Sequence, residues 1–275
     1  MFGVRKSTER KFWQGLVKGF QRAINRAKGA GSSGDLISWL RSFLPSQRED
    51  KLLRHVVSTM VRTEQKETAN SWKEAAARAG RGPELFREIS KEMQGPVGNR
   101  VAEIIAQNAK LIQTIPQEWA DYVVQYVQRE SMKGRRPEDI ENELRKILPE
   151  RMQKNLKVIA RTECAKANAA LVQARAEHLK IRAYIWRSAK DERTRDAHRA
   201  MEGILVFYND PPNPEALFGG KPYGNYHAGN TFNCRCYQEP VVSIDMLPDV
   251  VRVHDHGSIL ELTKRQIRQR YGKIA

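Results

Sequence analysis

Apolar residues recur at steps of three and four through most of the first 180 positions, and the pattern then turns to alternation. Phe12, Leu16, Phe20, Ala23, Ile24 and Ala27 share one side of a helical wheel, opposite Lys11, Lys18, Arg22 and Arg26. The Gly-Ala-Gly-Ser-Ser-Gly run at Gly29–Gly34 has the composition of a flexible linker, so residues 1–34 read as a basic amphipathic helix free to move. Asp35 is predicted to cap a short helix over Leu36–Leu44, which stops before Pro45. Ser46 and Glu49 have the spacing of a capping box and open a long helix reaching Gly80. Its apolar stripe is Leu52, Leu53, Val56, Val57, Met60 and Val61. Pro83 stands in the first turn of a helix over Glu84–Met93, Gly95-Pro96 interrupts, and a further helix covers Asn99–Asn108. Leu111–Ile115 then reads as a connector that closes a helical region over 35–115.

A second helical region is predicted over 116–180. Gln117–Lys133 buries Trp119, Tyr122, Val123, Tyr126 and Val127, and Gly134 ends it. Pro137 opens Glu138–Leu148, Pro149 marks a break, and Glu150–Leu179 is a long helix. Arg-Thr-Glu occurs at Arg62–Glu64 and again at Arg161–Glu163, but the following Ala-Asn pairs are offset by one residue and no repeat is inferred. At Ile181 the character changes. Arg182–Trp186 and Ile204–Tyr208 read as strands, separated by a short helix over Glu192–Glu202 with Asp191 at its cap and Gly203 at its end. A loop rich in Pro, Gly and Asn runs to Cys236, and Tyr237–Val242 is a returning strand. The expected fold is mainly α: an elongated body of long helices, with a small α+β module and a short mixed sheet near residues 181–243. Residues 244–275 read as a basic tail with a short helix over Ile259–Tyr271.

Composition adds charge to this picture. The 275 residues hold 48 Lys and Arg against 32 Asp and Glu, a net charge of +16. Such a charge favours nucleic acid, an acidic protein surface or anionic lipid, although basic residues spread along the chain also suit a solvated surface. Lys11, Lys18, Arg22 and Arg26 at one end, and Lys264, Arg265, Arg268, Arg270 and Lys273 at the other, are the expected contacts with a partner protein or with duplex DNA. Contact with DNA would weaken steeply with salt. No stretch is long and apolar enough to cross a bilayer, and the basic N-terminus lacks the apolar core of a signal peptide. Three cysteines make no disulfide framework and fit a reducing compartment, which points to the cytoplasm.

Chemistry concentrates between Trp186 and Cys236. His198, His227, Cys234 and Cys236 are a candidate Cys2His2 set for one structural Zn²⁺. The competing reading is two half-buried cysteines and two hydrogen-bonded histidines that close the loop without metal. A polar clamp is a second expectation: Arg161, Glu163, Asp191 and Arg193 would join the module to the long helix, with Arg193 on Glu163 and packing from Tyr184 and Trp186. A metal-dependent hydrolase, nuclease or toxin-like site, or a Cys–His nucleophile and base, is the enzymatic alternative. No phosphate-binding Gly-rich loop, G-x-S-x-G or catalytic carboxylate motif accompanies it, so catalysis is not expected. His254-Asp-His256 reads as a solvated triplet.

The order Trp186, Asp191-x-Arg193, His198, Gly203, His227-x-Gly229 and Asn233-Cys-Arg-Cys236, preceded by Ala160-Arg-Thr-Glu163, resembles the Mu F-like phage head morphogenesis (minor capsid) family. The resemblance covers roughly residues 108–242. It implies a structural virion protein that enters the procapsid in the host cytoplasm and associates with the portal or major capsid protein, and in some relatives with DNA. A basic DNA-binding scaffold is a further alternative. The motif positions it carries over are Arg161, Thr162, Glu163, Trp186, Asp191, Arg193, His198, Gly203, His227, Asn233, Cys234, Arg235 and Cys236, in a structural role. His227-Ala-Gly departs from the family's His-Pro and makes a less rigid turn. Portal or capsid contact is expected from the helices before about residue 108.

Overall fold

The computed structural model describes residues 2–274, apart from the side chain of Gln94. Helices α1 (Lys6–Gly19), α2 (Gln21–Lys28), α3 (Ser33–Arg41), α4 (Gln47–Arg78), α5 (Gly82–Lys91), α6 (Pro96–Met132) and α7 (Pro137–His178) fill the first two-thirds of the chain. There follow β1 (Ala183–Arg187), α8 (Asp196–Ala200), β2 (Leu205–Phe207), α9 (Pro214–Leu217), β3 (Tyr237–Pro240), β4 (Val250–Asp255), β5 (Ser258–Thr263) and α10 (Lys264–Tyr271). The described residues are 64% helical, and the strands form one small mixed sheet, as expected of a mainly α chain with a C-terminal α+β part. No helix among them is long and apolar enough to cross a membrane.

The chain divides into two units. One comprises Glu9–Met60 and Ile105–Ala160. Its core takes the apolar face of α1 and α2: Phe12, Leu16, Phe20, Ala23, Ile24 and Ala27 are all buried. Phe20 meets Trp119 edge-on at 5.3 Å between ring centroids. A Cβ on Gly15 or Gly19 would lie 2.5 Å from Val56 or 2.3 Å from Leu53, so only glycine lets α1 approach α4 this closely. The free, mobile first helix expected from the sequence is therefore corrected. Its apolar stripe is already covered, and the pattern could not say by what. The Gly29–Gly34 linker is corrected too. Arg145 donates to the carbonyls of Ala30 and Gly31, and the Ser33 amide donates to Glu141. Ser32, rather than Asp35, caps α3 by accepting from the Asp35 amide at 3.1 Å. The Ser46–Glu49 capping box forms as predicted, with bonds of 2.7 and 3.3 Å.

Two predicted breaks are absent. Pro116 lies inside α6 and Pro149 inside α7. Each proline removes one backbone donor, at a cost of about 3 kcal/mol. Ile112, Ile115, Trp119 and Ala120 around the first, and Leu148, Met152 and Leu156 around the second, stay buried and hold the helices continuous.

The other unit comprises Met1–Thr8, Val61–Ile104 and Arg161–Ala275. Its sheet runs β3-β1-β2-β4-β5, antiparallel except for the parallel β2–β4 pair. Alternation along β1 and β2 sends side chains to two different cores. Ala183, Ile185, Leu205 and Phe207 join Val251, Val253 and Ile267 of α10 and β4. Tyr184, Trp186, Ile204 and Val206 join Met201, Tyr226, Ala228, Cys234 and Cys236. The tail expected over 244–275 instead carries β4 and β5, and the helix expected over Ile259–Tyr271 begins only at Lys264 because residues 258–263 pair with β4. Residues 250–263 form a hairpin whose turn uses positive φ at His256 and Gly257, and α10 starts with a capping box from Thr263.

Glu64 of α4 is fully buried, where its carboxylate accepts from Asn168 of α7 at 3.0 Å. Burial pushes its pKa from 4.5 up to about 7. A raised folded pKa stabilises fully below the unfolded value and is lost as pH rises through the folded one, so Glu64 erodes stability between about pH 4.5 and 7. Glu64→Gln is expected to remove this slope and gain on the order of 2–3 kcal/mol at pH 8 relative to the wild type. Urea midpoints measured across pH 4–8 check it; parallel curves for the two proteins would contradict it.

Candidate functional site

Three of the four predicted ligands converge. His198 on α8 and Cys234 and Cys236 in the loop before β3 are buried, with donor atoms within 4.8 Å of one another. His198 Nδ1 lies 3.5 Å from Cys234 Sγ and 3.4 Å from Cys236 Sγ. The Cys236 amide donates to Cys234 Sγ at 3.4 Å. A neighbouring thiol as hydrogen-bond donor, and His198 beside it, hold the Cys234 thiol well below its ordinary range; Cys236, the donor, is pushed up by that bond and by burial. The indole N–H of Trp186 is buried without a full hydrogen bond and bears on the Cys236 sulfur. The Trp186 ring meets His198 edge-on at 5.6 Å.

His227 does not belong to this set, which corrects the four-ligand expectation. Its Nδ1 lies 3.1 Å from Tyr184 Oη and its Nε2 3.2 Å from the Tyr208 carbonyl. Burial drops its pKa from 6.5 to about 4, so it is neutral in the fold at neutral pH. A depressed folded pKa stabilises above the unfolded value and is lost on acidification; His227 is expected to contribute a stability loss between about pH 6.5 and 4. This slope runs opposite to that of Glu64, and the Glu64→Gln titration exposes it.

Tyr226, next to His227 and not among the expected site residues, meets the other ring nitrogen of His198. Its hydroxyl lies 2.8 Å from His198 Nε2 and donates to the Glu215 carboxylate, whose oxygens are 2.8 and 2.7 Å away. Glu215 comes from α9, a single turn capped by Asn213.

The remaining motif positions hold the loop in place. Asn233 has φ +54, a left-handed conformation that asparagine tolerates. Its amide donates to Thr162 Oγ1 at 3.0 Å, and its side chain accepts from Arg161 at 3.1 Å. Gly229, at φ +83, passes so close to α7 that a Cβ would stand 3.3 Å from the Ala165 carbonyl. The expected clamp therefore exists with other partners. Arg235 takes Asp191 in a two-pronged pair and holds its carboxyl below the usual range, in place of the expected Arg193–Glu163 pair. Glu163 pairs with Lys166, and Arg193 is exposed. Asp191 does not cap α8; it closes a turn by accepting from Thr194 Oγ1, and the α8 cap position is Arg195. Gly203, at φ +78, turns the chain from α8 into β2 and donates to the Trp186 carbonyl.

Beside His198 and the two cysteines lies a cavity of about 50 Å³, bordered by Thr194, Asn233 and Arg193. It has room for a water molecule but not for a substrate of ordinary size.

Of the predicted basic contacts, Lys11, Lys18 and Arg26 are exposed. Arg22 is bound to Glu49 and the Leu44 carbonyl and covers the Phe43 ring. On α10, Lys264 pairs with Asp249, Arg268 with Asp245 and Arg270 with Asp255, while Arg265, and Lys273 after the helix, face solvent.

Comparison with known proteins agrees with the motif. An uncharacterised protein of Haemophilus influenzae is 33% identical over 146 residues, which cover 53% of this chain and 30% of that protein. The chain thus spans less than a third of the length of the relative it matches. No solved structure matches the chain. The family model described as Phage Mu protein F like protein matches residues 121–239, from within α6 to the end of the Cys loop and into β3. Those residues, which carry Arg161, Trp186, His198, Cys234 and Cys236, are thus similar to the Phage Mu protein F like family.

Proposed function

We propose that the chain is a structural minor head protein of a tailed phage, acting in procapsid and head assembly. The match of residues 121–239 to the Phage Mu protein F like family carries this reading. It agrees with the geometry, in which the motif side chains hold a loop on a helix and a sheet. The protein is synthesised in the host cytoplasm and ends in the virion, near the portal or inside the head. Its partner is the portal or major capsid protein, met through residues outside the Mu F-like region. With the apolar stripe of α1 and α2 buried, that contact uses exposed charge such as Lys11, Lys18 and Arg26. Non-specific contact with packaged duplex DNA is secondary, because several of the predicted α10 cations already face Asp245, Asp249 and Asp255.

Burial speaks against catalysis. The Cys234 and Cys236 residues are only 3% and 5% exposed, and the cavity beside them has no room for a substrate. A nucleophile must meet the bond it attacks.

The test is to quantify the chain by mass spectrometry in purified procapsids and mature heads of a phage that carries it, and to examine particles formed without it. A fixed copy number in heads, and defective or empty heads in its absence, are expected. Normal, DNA-filled heads that lack the protein would overturn the assignment.

A further inference from the structure

The arrangement of His198, Cys234 and Cys236 is tighter than hydrogen bonding requires. The single Nδ1 lone pair of a neutral imidazole can accept one S–H bond, yet two sulfurs stand at nearly equal distances from it, 3.5 and 3.4 Å. A tetrahedral zinc with bonds of about 2.3 Å to sulfur and about 2.0 Å to nitrogen sets each S···N edge at about 3.5 Å. The other ring nitrogen is also engaged. His198 Nε2 meets Tyr226 Oη at 2.8 Å, and that hydroxyl donates its own hydrogen bond to Glu215. This chain fixes the tautomer with the proton on Nε2 and leaves the Nδ1 lone pair aimed at the sulfurs. A metal-bound histidine is oriented by its outer partners in this way.

We propose that His198 Nδ1, Cys234 Sγ and Cys236 Sγ form a zinc-binding triad, with solvent in the adjoining cavity as the fourth ligand. Two thiolates and an imidazole are a soft, zinc-preferring set. The cavity of about 50 Å³ touches all three residues and accepts one water. The ion joins α8 to the loop before β3, where the chain has little apolar surface of its own. Tyr226 and Glu215 are positioning residues, acting through His198. The site stands independently of any role in head assembly.

The experiment uses the full chain, purified without a polyhistidine tag under reducing conditions, incubated with excess zinc and dialysed. Elemental analysis is expected to find about one zinc per chain. Cobalt substituted for zinc should give thiolate-to-cobalt charge-transfer absorption. Tyr226→Phe should fold and bind zinc about 10–100-fold more weakly. His227→Gln should retain the full zinc content, because His227 serves Tyr184 and Tyr208 instead. A folded wild type that holds no zinc after this treatment overturns the triad, whatever the variants do. Loss of zinc from a folded His227→Gln protein overturns the ligand set.

Discussion

Arg175→Met is expected to destabilise the unit that contains the sheet by about 3–5 kcal/mol. Arg175 of α7 is 0% exposed, the most deeply buried cation among the described residues. Its guanidinium takes both oxygens of Glu92, at 2.5 and 2.7 Å, and donates to Thr68 Oγ1 at 2.9 Å and to the Gln65 carbonyl at 3.4 Å. Glu92 is itself only 2% exposed and also accepts from Gln65 Nε2 at 2.9 Å. Three segments, α4, α7 and the turn between α5 and α6, thus meet on one buried ion pair. Methionine fills much of the volume but leaves a carboxylate out of water with a single side-chain donor. Breaking a buried pair from one side costs far more than the pair contributes, because the surviving charge keeps its desolvation penalty. Removing both charges tests that cause. Arg175→Met with Glu92→Leu should recover most of the loss, since an apolar replacement for a whole ion pair is often neutral. Urea denaturation of the three proteins provides the comparison. A single variant within about 1 kcal/mol of wild type, or a double variant worse than the single, would contradict the argument.

Arg175 was invisible in the sequence, and the reason is general to long helices. In A-L-V-Q-A-R-A-E-H a lone arginine among apolar residues looks the same whether it snorkels to solvent or finds a carboxylate 83 residues away. The legible parts were local. The capping box at Ser46, the helix start at Pro83, and the alternation in β1 and β2 each depend on neighbours in sequence, and each formed. The parts misread were decided by distant packing. Pro116 and Pro149 stay helical because buried residues on either side outweigh one lost backbone bond. The hairpin over 250–263 replaces the first turn of the expected helix, since V-V-R-V-H-D alternates and His256-Gly257 supplies a turn that pairs residues 258–263 with it. At the candidate site, the residue types were legible and the grouping was not. Sequence put both histidines with both cysteines. The fold separates His227 from them and brings Tyr226 and Glu215 to His198 instead.

Trp186→Ala is expected to cost about 3–5 kcal/mol, with the damage confined to the sheet and its loop. The indole is 0% exposed on the β1 face that carries Tyr184, and it packs with Met201, Ile204, Val206, Cys234 and Cys236. Around it the loop from Asn209 to Cys236 supplies mostly polar, glycine and proline residues, with few side chains able to collapse into a void. The cost of a cavity depends on that ability, so this site lies toward the upper end of the range. Two effects can be separated. Trp186→Phe keeps an aromatic ring against His198 and removes the indole N–H that lacks a full partner, so it should lose less than half as much as alanine. Hydrogen exchange should then show where the energy resided. Protection in Trp186→Ala should fall across β1, β2 and residues 226–242, and remain at wild-type levels in residues 9–60 and 105–160. Uniform loss of protection along the whole chain would mean that the two units unfold as one cooperative body. An alanine variant that loses under about 1 kcal/mol would mean that the loop is held by Arg161, Thr162 and the Asp191–Arg235 pair without the tryptophan.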